Sequence, residues 1–260
     1  SRFSSLQDGS DFLKAKQSSR EFFDQYSDED MQLFHEFNRK SALPINEQPR
    51  LSMEAENRIR ELQEQFKDKL VEKSSFSFRA LRDWQSSTQE IRAMKIKRAA
   101  SSAERKTGKM AYPDSWSQYD LDQVKLGSPP KDDYIELRAF NQAYMERLGI
   151  DEETLYRGID GRTGRKIAND IKEVKGEGRV RRRRWEVSES PLSGFTTNKN
   201  IADKFGKNSD GITYSLQVPK DEIVVHRDLF QGITRSFMRE QEFIIIGGKR
   251  KVDLPQIEVK

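Results

Sequence analysis

The stretch Phe237-Met238-Arg239-Glu240-Gln241-Glu242-Phe243-Ile244-Ile245-Ile246-Gly247-Gly248 decides the fold of the C-terminal half. Phe243 to Ile246 is a run of β-branched and aromatic residues closed by two glycines, which predicts a short buried strand because such side chains pack on a pleated surface. Side chains two apart in a strand share a face. If extended pairing reaches back to Glu240, then Glu240 and Glu242 stand together and Gln241 faces the other way. Desolvating neighbouring carboxylates is costly and their repulsion raises one pKa, which marks the pair as a candidate site. The plain alternative is a solvated strand end that carries two surface acids.

Moving upstream, Ile212 to Val218 alternates Ile212, Tyr214, Leu216 and Val218 on one face, as a half-buried strand does. Thr154 to Tyr156, Val180 to Val187, Phe195 to Thr197 and Glu222 to His226 read as further strands, and Asn200 to Phe205 as a helix. Asp132 to Leu148 is a helix with Tyr134, Leu137, Phe140, Tyr144 and Leu148 in one stripe. Several short strands with a single helix between them predict an α+β fold around a mainly antiparallel sheet. The glycines of Gly158 to Gly164 and of Gly176-Glu177-Gly178 form no dinucleotide-binding fingerprint.

The N-terminal part reads differently. From Ser1 to about Lys109 the signals are helical. Ser27 and Asp30 resemble a capping box ahead of Leu33, Phe34 and Phe37, Ile59, Leu62, Phe66 and Leu70 recur at helical spacing, and one more helix is expected from Phe78 to about Met94. Pro113, Gly127, Pro129 and Pro130 then mark a linker. The expected organisation is a helical region over residues 1–110 that serves packing or partner binding, a linker over 111–131, and a second domain over 132–260.

Composition narrows the chemistry. Charged residues make up 35% and hydrophobic ones 34% of the 260, and no apolar run is long enough to span a membrane. Residues 1–12 lack a basic start followed by an apolar core, so no signal peptide is expected. The absence of cysteine excludes disulfides and thiolate sites and fits a reducing cytoplasm. The two histidines, His35 and His226, lie far apart in the sequence, which argues against a histidine-rich metal site or a Ser-His-Asp hydrolase. The net charge of +4 resides in the last 110 residues, where 22 Lys and Arg face 18 Asp and Glu.

Three separated pieces carry a resemblance. Leu155-Tyr156-Arg157-Gly158 on a strand, Ser193-Gly194-Phe195-Thr196-Thr197 leading into Ile201, Ala202 and Phe205 on a helix, and Glu240-Gln241-Glu242 leading into Phe243 to Ile246 together resemble the Arg-Ser-Glu mono-ADP-ribosyltransferases, the cholera-toxin-like and clostridial-toxin-like enzymes. The resemblance covers about Tyr134 to Leu254. It implies NAD as substrate, no metal, Glu242 as the carboxylate that grips the nicotinamide ribose, and Glu240 as the group that orients or deprotonates the acceptor. An oxocarbenium-like transition state explains the need for a fixed carboxylate. Arg157, a permanently charged fork, can hold the pyrophosphate or ribose in register, with a strand-end salt bridge as its bland reading. Ser193-Gly194-Phe195-Thr196-Thr197 lacks Ser-x-Ser, so either Thr196 or Ser193 supplies the hydroxyl that orients the glutamate. Phe195 is a candidate nicotinamide stacker or a core residue. Phe237 is a candidate acceptor contact or a loop staple.

The function expected on this basis is mono-ADP-ribosyl transfer to a macromolecule, with protein arginine favoured by Glu240, in a bacterial or phage toxin or effector. The run Arg181-Arg182-Arg183-Arg184 points instead to RNA or DNA as acceptor, or is a solvated edge. The helical half would hold an antitoxin, immunity or structural partner. The rival from another class is a non-catalytic interaction or capsid-associated protein with a decayed transferase fold.

Overall fold

A computed structural model of the chain describes residues 6, 9–41, 47–48, 50–104, 107–126, 130–176, 184–207, 211–230 and 241–259. The fold is α+β: a layer of helices comes first and a six-stranded antiparallel sheet follows. Among the described residues no helix is long and apolar enough to cross a membrane.

The helical layer comprises α1 (Ser10–Phe23), α2 (Asp28–Lys40), α3 (Met53–Lys73), α4 (Ser75–Ser86), α5 (Ile91–Ala103) and α6 (Gln118–Lys125). Local signals set several of their ends. Ser27 caps α2 by accepting the Asp30 N–H, yet the Asp30 carboxylate does not complete the expected capping box. It takes a bidentate bond from Arg58 instead, at 2.9 and 2.6 Å, which fastens α2 to α3. Ile59, Leu62, Phe66 and Leu70 form the buried stripe of α3. The single helix expected across Phe78 to Met94 is two: the chain turns extended at Ser87, and α5 starts afresh at Ile91. Inside the expected linker, Ser117 and Asp120 form a reciprocal capping box that starts α6.

Helix α7 (Lys131–Arg147) joins the layers. Its buried residues include Tyr134, Ile135 and every position from Leu137 to Met145, so it is enclosed on nearly all sides and not along one stripe only. Arg138, 0% exposed, donates to Glu104 at the end of α5 and to the Asp221 carbonyl just before β4. One cluster of buried apolar side chains runs from Leu6 through the helices to Ile257 in the last strand.

The strands are β1 (Glu152–Ile159), β2 (Arg184–Thr196), β3 (Ile212–Pro219), β4 (Ile223–Val225), β5 (Glu242–Asp253) and β6 (Ile257–Val259), ordered β4-β5-β2-β1-β3-β6. Helix α8 (Gly161–Gly176) follows β1, α9 (Lys199–Lys207) follows β2, and the short α10 (Arg227–Phe230) follows β4. Helix α8 lies where the sequence analysis has no helix; its glycines mask a stripe of Ile167, Ala168 and Ile171 that packs on the core.

Two strand readings change. The segments expected as separate strands near Val187 and Phe195 are one strand, β2, with a bulge between Glu189 and Leu192 where Ser190 and Pro191 face the single Gly247. The glycines after Ile246 do not end β5, which runs on to Asp253. Gly247 is there to admit the bulge, since a Cβ at that position would stand 1.6 Å from the Ser190 carbonyl oxygen.

Phe66 lies edge-on to Phe23, Tyr26 and Phe34, with centroids 5.3, 5.1 and 4.8 Å away, and is buried. Phe66→Ala is expected to destabilise the protein by about 3–5 kcal/mol, the usual cost of emptying a packed aromatic site. Urea denaturation measures it, and a loss under about 1 kcal/mol would mean that the helical layer repacks freely.

Candidate active site

Three neighbouring strands bring the expected motifs together. Tyr156 of β1 lies opposite Thr196 of β2, and Thr196 lies opposite Glu242 at the start of β5. Residues paired across antiparallel strands share a face, so these three form a row. Gly194, two residues before Thr196, is on the same face, and a Cβ there would stand 2.2 Å from Glu242 Oε1. The carboxylate therefore rests over a position that only glycine leaves open. Trp84 Nε1 of α4 donates to the same Oε1 at 2.9 Å. Gln241 has φ +50°, the left-handed region, and the strand begins at Glu242. Gln241 is buried, and its side-chain oxygen accepts from Arg227 Nη1 at 3.1 Å.

Arg157 points across β2. Its Nη1 donates to the Gly194 carbonyl at 2.6 Å, its Nε lies 3.3 Å from Glu189, and its guanidinium sits 5.3 Å from the centre of the Phe195 ring. Burial disfavours its charge, but the carboxylates of Glu189 and Glu242, with the Tyr214 phenol, outweigh that and hold its pKa above the ordinary value. Glu189 is itself fixed: Ser193 Oγ donates to it at 3.0 Å and Tyr214 Oη donates to its other oxygen. Arg157 is thus ion-paired, as its bland reading held, while also lining a cavity.

That cavity has a volume of about 250 Å³ and is lined by Arg157, Ser193, Gly194, Phe195, Thr196 and Glu242 among others. Thr196 Oγ1 accepts the Asn198 N–H at 3.1 Å, while the Ser193 hydroxyl is directed to Glu189. The helical half also lines the cavity, through Trp84, Thr88 and Lys97. Trp84 is 3% exposed. Lys97, 7% exposed, donates to the Thr88 carbonyl at 2.9 Å and lies 4.9 Å from the Trp84 ring centre. Burial, and then the like charge of Arg157, lower its pKa to about 8. Sequence reasoning missed these residues, because a tryptophan in a helical stripe reads as core.

The other expected residues lie elsewhere. Thr197 donates to the Gln241 side-chain oxygen at 3.4 Å and lines a second cavity of about 340 Å³. Arg184 is exposed at the start of β2, pairs with Asp253 at 2.9 Å and lines neither cavity. Glu240, Phe237, Arg181, Arg182 and Arg183 lie outside the described residues. The histidines prove not to be apart: His35 and His226 have ring centres 6.2 Å from each other, and both face Asp228, at 2.7 and 3.5 Å. Tyr144 donates to the same Asp228 oxygen at 3.0 Å. Burial alone would raise the Asp228 pKa, but His226, His35 and Arg227 together hold it below the ordinary carboxylate value. Among the described residues no His, Cys, Asp and Glu cluster is placed to hold a metal ion.

Residues 135–254 match the family model described as dinitrogenase reductase ADP-ribosyltransferase (DRAT). The C-terminal half is an ADP-ribosyltransferase domain, and the enzyme is NAD-dependent. No curated protein and no solved structure gave a match.

Gly194→Ala is expected to push the Glu242 carboxylate from its place and lower NAD cleavage at least about tenfold, the order expected when one charge-assisted hydrogen bond is lost. Nicotinamide release, measured beside a melting curve, checks it. Full activity in a folded variant would show that the position of the carboxylate is not set by the glycine.

Proposed function

We propose that this ADP-ribosyltransferase moves ADP-ribose from NAD to an arginine side chain of a protein, with Glu242 as the catalytic carboxylate. The observation that carries this reading is the placement of Glu242 over Gly194 and under the Trp84 N–H, in the cavity that Arg157 lines. As the bond from the ribose anomeric carbon to the nicotinamide nitrogen breaks, the electron pair leaves with nicotinamide and positive charge develops on the ribose. A carboxylate already held in place stabilises that charge without reorganising. A guanidinium nitrogen then bonds to the anomeric carbon and gives up a proton, which Glu240 accepts. Arg157 holds the diphosphate side of NAD, and Phe195, stacked under Arg157, supports it from below.

Protein arginine as acceptor rests on the Glu240-Gln241-Glu242 pattern. The matched family is named for a protein acceptor, which is in line with it. A bacterial or phage toxin or effector acting in the cytoplasm is the setting that the resemblance favours, with the helical half also docking an antitoxin, immunity or structural partner. Arg184, paired with Asp253, lends little to a nucleic-acid acceptor.

Glu242→Gln keeps the shape and removes the charge, so nicotinamide release and transfer should both fall by roughly 100-fold or more while the melting temperature holds. An active variant would sink the assignment of Glu242. For the acceptor, the protein is incubated with labelled NAD and a whole-cell lysate, then digested separately with protease and nuclease. Label released by protease alone is expected. Label released by nuclease alone would move the reading to RNA or DNA.

A further inference from the structure

We propose that Lys97 is an anion contact which the helical layer contributes to the NAD site, so that Lys97 from α5 and Arg157 from β1 bind the diphosphate together. The proposal rests on the NAD reading and deepens it, because Lys97 lies outside residues 135–254, the part matched to the transferase family.

The argument starts from the cost of burying an ammonium. Lysines on an amphipathic helix normally send the charged head to water. On α5, Lys95 and Arg98 are only partly buried, whereas Lys97 is turned into the protein between Ile96 and Ala99. Among the described residues no carboxylate forms an ion pair with it. Its hydrogen bond goes to a neutral carbonyl, and its other partner is the Trp84 ring. A buried charge without a counterion is unfavourable unless something else meets it. Here Lys97 lines the cavity that Arg157 also lines, and the two like charges influence each other. Two cations facing one cavity suit a ligand with two negative charges, and a dinucleotide diphosphate carries two. Lysine is an ordinary phosphate ligand, acting as a point charge where arginine acts as a fork.

The test compares wild type with Lys97→Met, Lys97→Gln and Lys97→Arg. Isothermal titration measures binding of ADP-ribose, which has the diphosphate, and of adenosine, which does not. Steady-state nicotinamide release gives KM and kcat for NAD. Lys97→Met and Lys97→Gln should weaken ADP-ribose binding and raise KM by about 10- to 100-fold, the range for one charge-assisted contact, with kcat nearly unchanged. Adenosine binding should stay the same, and Lys97→Arg should recover most of the affinity. Unchanged ADP-ribose binding in the folded Met or Gln variant overturns the proposal. Equal weakening of ADP-ribose and adenosine also overturns it, since that marks a collapsed wall and not a lost charge. A wild-type protein that releases no nicotinamide would instead sink the NAD reading itself.

Discussion

The interaction on which the rest depends is the enclosure of α7, with its buried Arg138 bonded to Glu104 on one side and to the Asp221 carbonyl on the other. Burial strongly disfavours the Glu104 carboxylate, and the Arg138 charge with the Tyr134 hydroxyl compensates only in part, so its pKa stays above the ordinary value. Such a pair is a poor source of net stability but a strict constraint on geometry, because neither partner tolerates the loss of the other. It holds the end of α5 and the start of β4 to the same guanidinium. The helices that carry Trp84 and Lys97 are thereby packed to the sheet that carries Arg157 and Glu242.

Local periodicity was legible and non-local pairing was not. The stripe Ile59, Leu62, Phe66 and Leu70 is buried as read, because a 3.6-residue period is a property of the segment itself. Glycine normally closes a strand, which places the end of β5 at Gly247 on sequence alone, while the glycine there answers to the Ser190 carbonyl arriving from β2. The capping box at Ser27 failed for the same kind of reason: Arg58, 28 residues away, competes for the Asp30 carboxylate with two bonds.

The site divides along the same line. Arg157, Phe195 and Glu242, each named from a motif on a strand, line one cavity because strands β1, β2 and β5 are neighbours in the sheet. Nothing near Trp84 in the sequence distinguishes a core tryptophan from one whose N–H meets a carboxylate 158 residues later. Sequence distance says little about His35 and His226, two buried rings that share Asp228.

The charges of the cavity have a consistent order. Glu189 is consumed by its partners, since Tyr214 and Ser193 donate to it and Arg157 pairs with it, so it serves to aim the arginine and not to meet a ligand. Ser193 works for Arg157 through Glu189, which leaves Thr196, in line with Glu242 across the strands, as the hydroxyl residue nearest in register to the glutamate. Arg157 and Lys97 bring positive charge to the cavity and Glu242 brings negative charge. NAD has the complementary order, an anionic diphosphate joined to a ribose on which positive charge develops as nicotinamide leaves. On the reading proposed above, the cations would meet the diphosphate already present in the ground state and Glu242 the charge that grows as the bond breaks, and only the second interaction raises turnover.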